Sequence, residues 1–421
     1  MVLLSLAYQS LKNRQLTSAL TLGSIALSVA LLIGVEQVRL GARESFANTI
    51  SQTDLIVGAR GGALSLLLYT VFRIGSATNN ITYASYEHFR NHPAVAWTIP
   101  YSLGDSHRGF RVVATTEDFY NYYRYRHDRP VELAEGRIPA DIFEVALGSD
   151  VAAELKYRVG ERVVVTHGIT HGRGVLEHDD KPFTVVGILK RTATPVDRSL
   201  YITLEGMEAM HLDWSEGAPP LAGEATPAGQ IAQQEIKIKQ ITAFLLRARS
   251  RIDTLRLQRE VNTFEDEPLM AIIPGVVLSE LWRTIGYAED ALRVVSLFVI
   301  IIGLLGMLVS LYTALTERRR EMAVLRAVGA GPWRIVLLLV LESGFLSMGG
   351  AIVGVLLVYV LSFLSQPIVE GHFGLFIPIQ PLTLTAYLYV LAVIVGGLLI
   401  GFVPALRAYR NSLADGLTMR L

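Results

Sequence analysis

The chain has 421 residues, 51% of them apolar and 18% charged, and its 38 basic side chains balance 38 acidic ones. That neutrality gives no reason to expect a nucleic-acid partner, and the absence of cysteine excludes disulfides, thiolate metal sites and cysteine nucleophiles. Neither a G-x-x-x-x-G-K-S/T phosphate loop nor an H-E-x-x-H or G-x-S-x-G signature occurs, so ATP hydrolysis, if linked to this chain, comes from a partner.

Lys12 and Arg14 precede Leu16–Val35, twenty residues without a charge and long enough to cross a bilayer. A cleaved signal peptide would have the same orientation, but no small-x-small cleavage pattern closes the run, which favours a span. Its small residues, from Gly23 and Ser24 to Ala30 and Gly34, let another helix approach closely. From Glu36 to Gly286 nothing is apolar enough to span again, and the hydrophobic period keeps switching. Arg111–Thr116, Arg162–His167, Phe183–Leu189 and Ile241–Ala248 read as strands. Glu117–Tyr123 and Arg251–Phe264 read as helices, and Val145–Leu155 as a strand followed by a capped helix starting at Ser149. Residues 39–285 are therefore expected to form an α+β domain. Asp213–Gln230, rich in Pro, Gly, Ala and Glu, reads as a surface insertion.

Three features of that domain could carry function. Gly58–Ile74 places Leu66, Leu67, Leu68, Val71 and Phe72 in an apolar cluster too short to span; it either buries against the core or forms a greasy contact with lipid, substrate or a partner. His167, His171 and His178, followed by Asp179 and Asp180, have the side-chain chemistry of a zinc site. The glycines at 168, 172 and 174 favour a solvated hairpin, for which added zinc would give little or no gain in stability. Thr192–Ile202 reads as a structural turn into a strand, with Arg198 free to pair with Asp197 or a neighbour.

The apolar character resumes at about Ala291. Val294–Leu315 and Ile335–Leu364 each suffice to span, and a fourth span precedes Arg407. Small residues recur at spacings of three or four: Gly303, Gly306 and Ser310 in the second span, Gly350 and Gly354 in the third, Gly397 and Gly401 in the fourth. Glu342 is the one charged residue within these runs, and a structural hydrogen bond suits it better than proton relay, which needs further carboxylates or histidines. The helix around the second span is expected over Leu281–Leu315, about 50 Å, longer than the roughly 30 Å bilayer core. Gln366–Thr383 has no lysine or arginine, whereas Glu317–Arg334 (ERRREMAVLRAVGAGPWR) carries five arginines against two glutamates. The positive-inside bias places that loop and both termini in the cytoplasm and residues 46–287 outside. Within the loop, Glu321–Val328 can form two helical turns with Met322, Leu325 and Val328 on one side, stopped by Gly329 and Gly331. It is either an ordinary basic membrane turn or a short helix that docks in a cleft of a soluble partner.

The order E-R-R-R-E-x-A-V-L-R-A-V-G-A, followed by a helix carrying Glu342, resembles the FtsX/MacB-like family of ABC transporter permeases. FEVALGSDVAAELKYRVGERVVV is similar to the MacB-like periplasmic domain, and PALRAYRNSLADGL to the family's C-terminal motif. The resemblance implies four transmembrane helices with the α+β domain inserted between helices 1 and 2. The expected domains are residues 1–38, 39–285 and 286–421. Loop 317–334 would be the coupling helix, with Glu317, Arg318, Arg319, Arg320, Glu321, Met322, Leu325, Arg326, Val328 and Gly329 seated in an ATPase subunit that binds ATP and Mg²⁺. It also implies a bacterial inner-membrane location, a second permease copy in a homodimer or similar pair, and a periplasmic adaptor or substrate-binding partner. Exporters or extractors of lipophilic, lipoprotein or peptide substrates occur in the family, and so do non-transporting regulators of a cell-wall hydrolase. The histidine group adds a third reading, a metal-linked assembly.

Overall fold

Among the described residues, four helices are long and apolar enough to cross a membrane: Gln15–Thr49, Pro274–Glu317, Pro332–Phe373 and Leu384–Ala414. The computed structural model describes residues 2–126, 128–168, 178–214, 226, 228–231, 235–317, 331–373 and 379–414. It divides into two compact units: Ala42–Thr284 with Ile368–Ile377, and Met1–Gly41 with Ile285–Pro367 and Pro378–Leu421.

In the helical unit the apolar runs become spans because their backbone groups pair within each helix and their side chains need no water. Ile25, Val29 and Ile33 of the first span pack with Met307 and Leu311 of the second, Leu346, Ala351 and Val358 of the third, and Val393 of the fourth. Many other large apolar side chains, among them Phe298, Ile302, Leu356 and Leu399, remain exposed, as lipid-facing positions require. The helix containing the second span is longer than the sequence implied: 44 residues, or about 66 Å at the α-helical rise.

The other unit is built on a ten-stranded mixed sheet. Its strands are β1 (Leu55–Ala59), β2 (Val95–His107), β3 (Phe110–Thr115), β4 (Leu133–Gly136), β5 (Glu144–Leu147), β6 (Arg162–Val163), β7 (Phe183–Leu189), β8 (Ser199–Thr203), β9 (Ala243–Ala248) and β10 (Leu269–Ile272). They run in the order β10-β1-β9-β2-β3-β8-β5-β7-β4, with β6 beside β7. The pairs β3–β8 and β5–β7 are parallel and the rest antiparallel. Strand β2 holds the sheet together: residues 95–101 pair with β9, residues 102–107 with β3.

Period-2 alternation sends successive residues to opposite faces, so Leu55 and Val57 enter one core while Ile56 enters the other. Helices Tyr83–Arg90, Ser149–Leu155, Leu204–Met210 and Arg251–Asn262 cover the first face through Phe89, Val151, Met207 and Leu257. The second is covered by Ala63–Phe72 and Asp118–Tyr122. The helix begins at Ser149 as expected, but without a side-chain cap, because Gly148 occupies the N-cap position. Glycine is required there because any Cβ would strike the Asp197 carbonyl. The expected strand Arg162–His167 shortens to Arg162–Val163, and Thr166 instead makes an isolated bridge to Ser106. Most of the expected insertion at Asp213–Gln230 lies outside the described residues.

Candidate functional site

The glycines of the helical unit mark its closest helix crossings. A Cβ on Gly350 would lie 2.7 Å from Ile25, and one on Gly354 2.6 Å from the Ala26 carbonyl oxygen, so the third span meets the first backbone to backbone. Gly397 and Gly401 of the fourth span face Ser347 and Ser343 of the third. Gly303 of the second faces Ser28, whose hydroxyl reaches the Val299 carbonyl across the helix pair at 3.2 Å. Glu342 is buried, 2% exposed. Residues 318–330, and with them every expected coupling side chain from Arg318 to Gly329, lie outside the described residues; Glu317 ends its helix.

Sequence reasoning missed a charge cluster in this unit. Glu36, 6% exposed, accepts from Arg39 Nε at 3.1 Å, and Arg39 Nε lies 3.8 Å from Glu289. The only sequence signal was that Glu36 and Arg293 each flank an apolar run.

In the sheet-containing unit, the apolar cluster is core and not an outward contact surface. Leu66, Leu67, Val71 and Phe72 are buried and Leu68 half-buried, because the short helix lies flat on the second sheet face. Beside it Arg73, with left-handed backbone at φ 61°, stacks over the Tyr101 ring. Arg73, Arg111, Asn79 and Asn80 help line an open cavity of about 500 Å³. The Thr192–Ile202 turn is held by Asp197, which accepts from the N–H groups of Thr192 and Ala193 and from the Thr192 hydroxyl at 2.6–3.0 Å. Burial raises the Asp197 pKa, and these donors only partly offset it. Arg198 pairs with Glu154 at 2.6 Å.

The expected hairpin lies mostly outside the described residues, but two of its histidines, His167 and His178, are described, and they sit together beside Asp105. The Ser106–Thr166 bridge, with N···O distances of 3.1 and 2.7 Å, sets His167 beside Asp105 near the end of β2. His178 is drawn in by its N–H bond to the Val165 carbonyl at 2.8 Å and is wholly buried. His211 caps the C-terminus of helix Leu204–Met210 and completes the group; His171 lies outside the described residues. The metal-binding atoms of Asp105, His167, His178 and His211 all fall within 4.8 Å of one another. His167 Nδ1 is 3.1 Å from His211 Nε2 and 3.3 Å from Asp105 Oδ1, while His211 Nε2 is 3.3 Å from Asp105 Oδ2.

Electrostatics separates the members of this group. Burial alone would raise the Asp105 pKa, but the His167 hydrogen bond, the His211 charge and the Gly168 N–H lower it overall. The bond to Asp105 raises the His167 pKa against a smaller effect of burial. Burial, then the charge of His211, pushes His178 down to about 3, so its ring is neutral at pH 7. Buried Lys181 stays outside the group, bonded to Asp213 at 3.0 Å. Trp214 packs against His178 with ring centroids 4.2 Å apart and the ring planes tilted by 39°.

Comparison with known proteins covers both units. Residues 18–263 match the MacB-like periplasmic core domain and residues 293–413 the FtsX-like permease C-terminal domain. An uncharacterized ABC transporter permease of Methanocaldococcus jannaschii is 25% identical over 190 residues, which are 44% of this chain and 41% of that one. The match thus spans well under half the length of that relative. Among solved structures, the periplasmic region of MacB from Actinobacillus actinomycetemcomitans aligns with 55% of this chain and 94% of its own, at 10% identity and a TM-score of 0.33. The extracellular domain of the noncanonic ABC-type transporter YknZ from Gram-positive bacteria aligns with 52% of this chain and 98% of its own, at 11% identity and a TM-score of 0.29.

Proposed function

The chain belongs to the MacB/FtsX-type ABC transporter permeases, and from that premise we propose that it is the membrane subunit through which a separate ATPase drives movement of the domain at residues 42–284. In this reading two ATPase subunits bind ATP and Mg²⁺, two permease copies pair in a bacterial inner membrane, and the domain stands in the periplasm. Arg326 and its neighbours Met322, Leu325 and Val328 seat in the ATPase. A lipophilic, lipoprotein or peptide substrate is handled on the outer side.

The observation that carries the reading is the unbroken helix Pro274–Glu317. At about 66 Å it has twice the length that a bilayer core of about 30 Å requires. A rigid helix of that length transmits a displacement from one end to the other, whereas a chain that unwound at mid-membrane would absorb it. Substrate passage through the spans has little support. Across 16–35, 294–315, 335–364 and 384–406, Glu342 is the single charged residue, whereas transporters that bind polar cargo at mid-membrane use charges and broken helices.

Charge reversal at the loop tests the coupling. In a reconstituted complex, Arg326→Glu should remove a charge-assisted contact of about 1.5–3 kcal/mol, weakening ATPase association and uncoupling hydrolysis from permease activity. Unchanged association and activity would contradict the assignment.

A further inference from the structure

We propose that Asp105, His167, His178 and His211 form a four-ligand zinc site in the sheet-containing unit. This rests on side-chain geometry and holds whether or not an ATPase drives the chain.

The spacing suits zinc. Zinc bound at 2.0–2.1 Å by four tetrahedral ligands separates neighbouring donor atoms by about 3.3 Å. Here His167 Nδ1 lies 3.1 Å from His211 Nε2 and 3.3 Å from Asp105 Oδ1, the other Asp105 oxygen lies 3.3 Å from His211 Nε2, and the donor atoms of all four residues, His178 included, fall within 4.8 Å of one another. A small shift of the His178 ring closes the shell.

His178 distinguishes a metal site from a plain hydrogen-bond cluster. Hydrogen bonding accounts for Asp105, His167 and His211, which satisfy one another. It leaves out His178, which has no exposed surface and, among the described residues, no hydrogen-bond partner for either ring nitrogen. Buried polar atoms are almost always paired, and one left over calls for an explanation. An ion held by the other three residues supplies a partner for one of the two nitrogens.

The surrounding groups are those that orient metal ligands. His211 Nδ1 donates to the Met207 carbonyl at 2.9 Å, which fixes the tautomer and leaves the Nε2 lone pair facing Asp105 and His167. Asp105 Oδ1 is held by the Gly168 N–H at 3.1 Å. Three imidazoles with one carboxylate suit zinc, while the all-oxygen preference of calcium and magnesium and the thiolate preference of copper(I) are both unmet. Four protein ligands leave no open position for a reactive water, so the site binds or senses the metal and does not hydrolyse. The side chains of His167 and His211 are 37% and 28% exposed, which gives the ion a way in and out. Zinc would tie together three stretches of sequence, around positions 105, 167–178 and 211.

Trp214, packed against His178, provides a reporter. The full chain in detergent, freed of any polyhistidine tag and stripped with a chelator, would be titrated with zinc chloride and separately with cobalt chloride. About one zinc should bind per chain, with a rise in unfolding temperature and a change in tryptophan emission that the Trp214→Phe variant lacks while still binding metal. Cobalt should give the visible absorption of a tetrahedral site. His178→Ala should weaken zinc binding at least about tenfold. Should that buried change prevent folding, the partly exposed His167→Ala and His211→Ala variants give the same reading. Wild-type chain binding no more zinc than the His167→Ala/His211→Ala double variant would overturn the proposal, as would cobalt spectra without tetrahedral bands.

Discussion

Arg293 of the second span reaches Glu36 of the first, Nη2 to Oε2 at 3.5 Å, across 257 positions of sequence. Each residue sits just outside its apolar run, Glu36 after Leu16–Val35 and Arg293 before Val294, so the contact sets the same end of two antiparallel helices side by side. Glu36 is buried between Arg293 and Arg39, and removing its charge leaves two guanidinium groups facing each other. Glu36→Gln should therefore cost about 1–3 kcal/mol, a range reduced from that of a fully buried pair because Arg293 is 38% exposed. Thermal unfolding in detergent checks this. The Glu36→Gln/Arg293→Gln double variant should lose less than the sum of the singles, and strict additivity would show the two residues to be uncoupled.

The small-residue crossings give a paired prediction. Gly354→Leu must push apart Val29 and the Ala26 backbone, an overpacking cost of about 1–3 kcal/mol or more. Gly23, in the middle of the first span, has nothing within 4 Å of where a Cβ would go. Gly23→Ala should be neutral or stabilise by up to about 1 kcal/mol through helix propensity. Equal destabilisation by the two changes would mean that the helices do not cross where the glycines place them.

What could be read in advance followed from how local the signal was. Apolar runs announce spans with no knowledge of the partners, and glycines spaced by four announce close crossings. Strand β7 was legible end to end, Phe183–Leu189, because its alternation is strict. The Leu66–Phe72 cluster left two readings, since periodicity cannot tell a core-facing segment from an exposed one. The histidine cluster was legible only in part. Spacing along the chain pointed to 167, 171 and 178, whereas the sheet register brings Asp105 from β2, and a helix end brings His211. The one local hint was His211 followed by Trp214 at the end of a short amphipathic helix, a pattern too common to single out.

The turn at Thr192–Ser199 depends on Asp197. Asp197→Ala would leave the Thr192 and Ala193 N–H groups and the Thr192 hydroxyl without their acceptor while Ala193 keeps its left-handed φ of 54°. A loss of at least about 2 kcal/mol is expected from burying unsatisfied donors. Denaturant unfolding followed through tryptophan emission would detect it. A loss below about 0.5 kcal/mol, the size of an ordinary surface change, would refute the role.

Topology can be tested on a chain that has no cysteine of its own. A single cysteine at Asp180→Cys should react with an impermeant thiol reagent from the periplasmic side, and one at Arg326→Cys only after the cytoplasmic face is opened. Labelling at position 180 from the cytoplasm alone would reverse the assignment.

The most direct test of the central claim, that the spans transmit motion instead of conducting substrate, lies on the long helix. Gly286 has open space around its Cα, and the side chain of Asp290 is 69% exposed. Cysteines at Gly286→Cys and Asp290→Cys, in permease reconstituted with its ATPase, should crosslink between two copies with a yield that changes when ATP binds and returns after hydrolysis. A yield indifferent to nucleotide in a complex that hydrolyses ATP and is otherwise active would contradict the account.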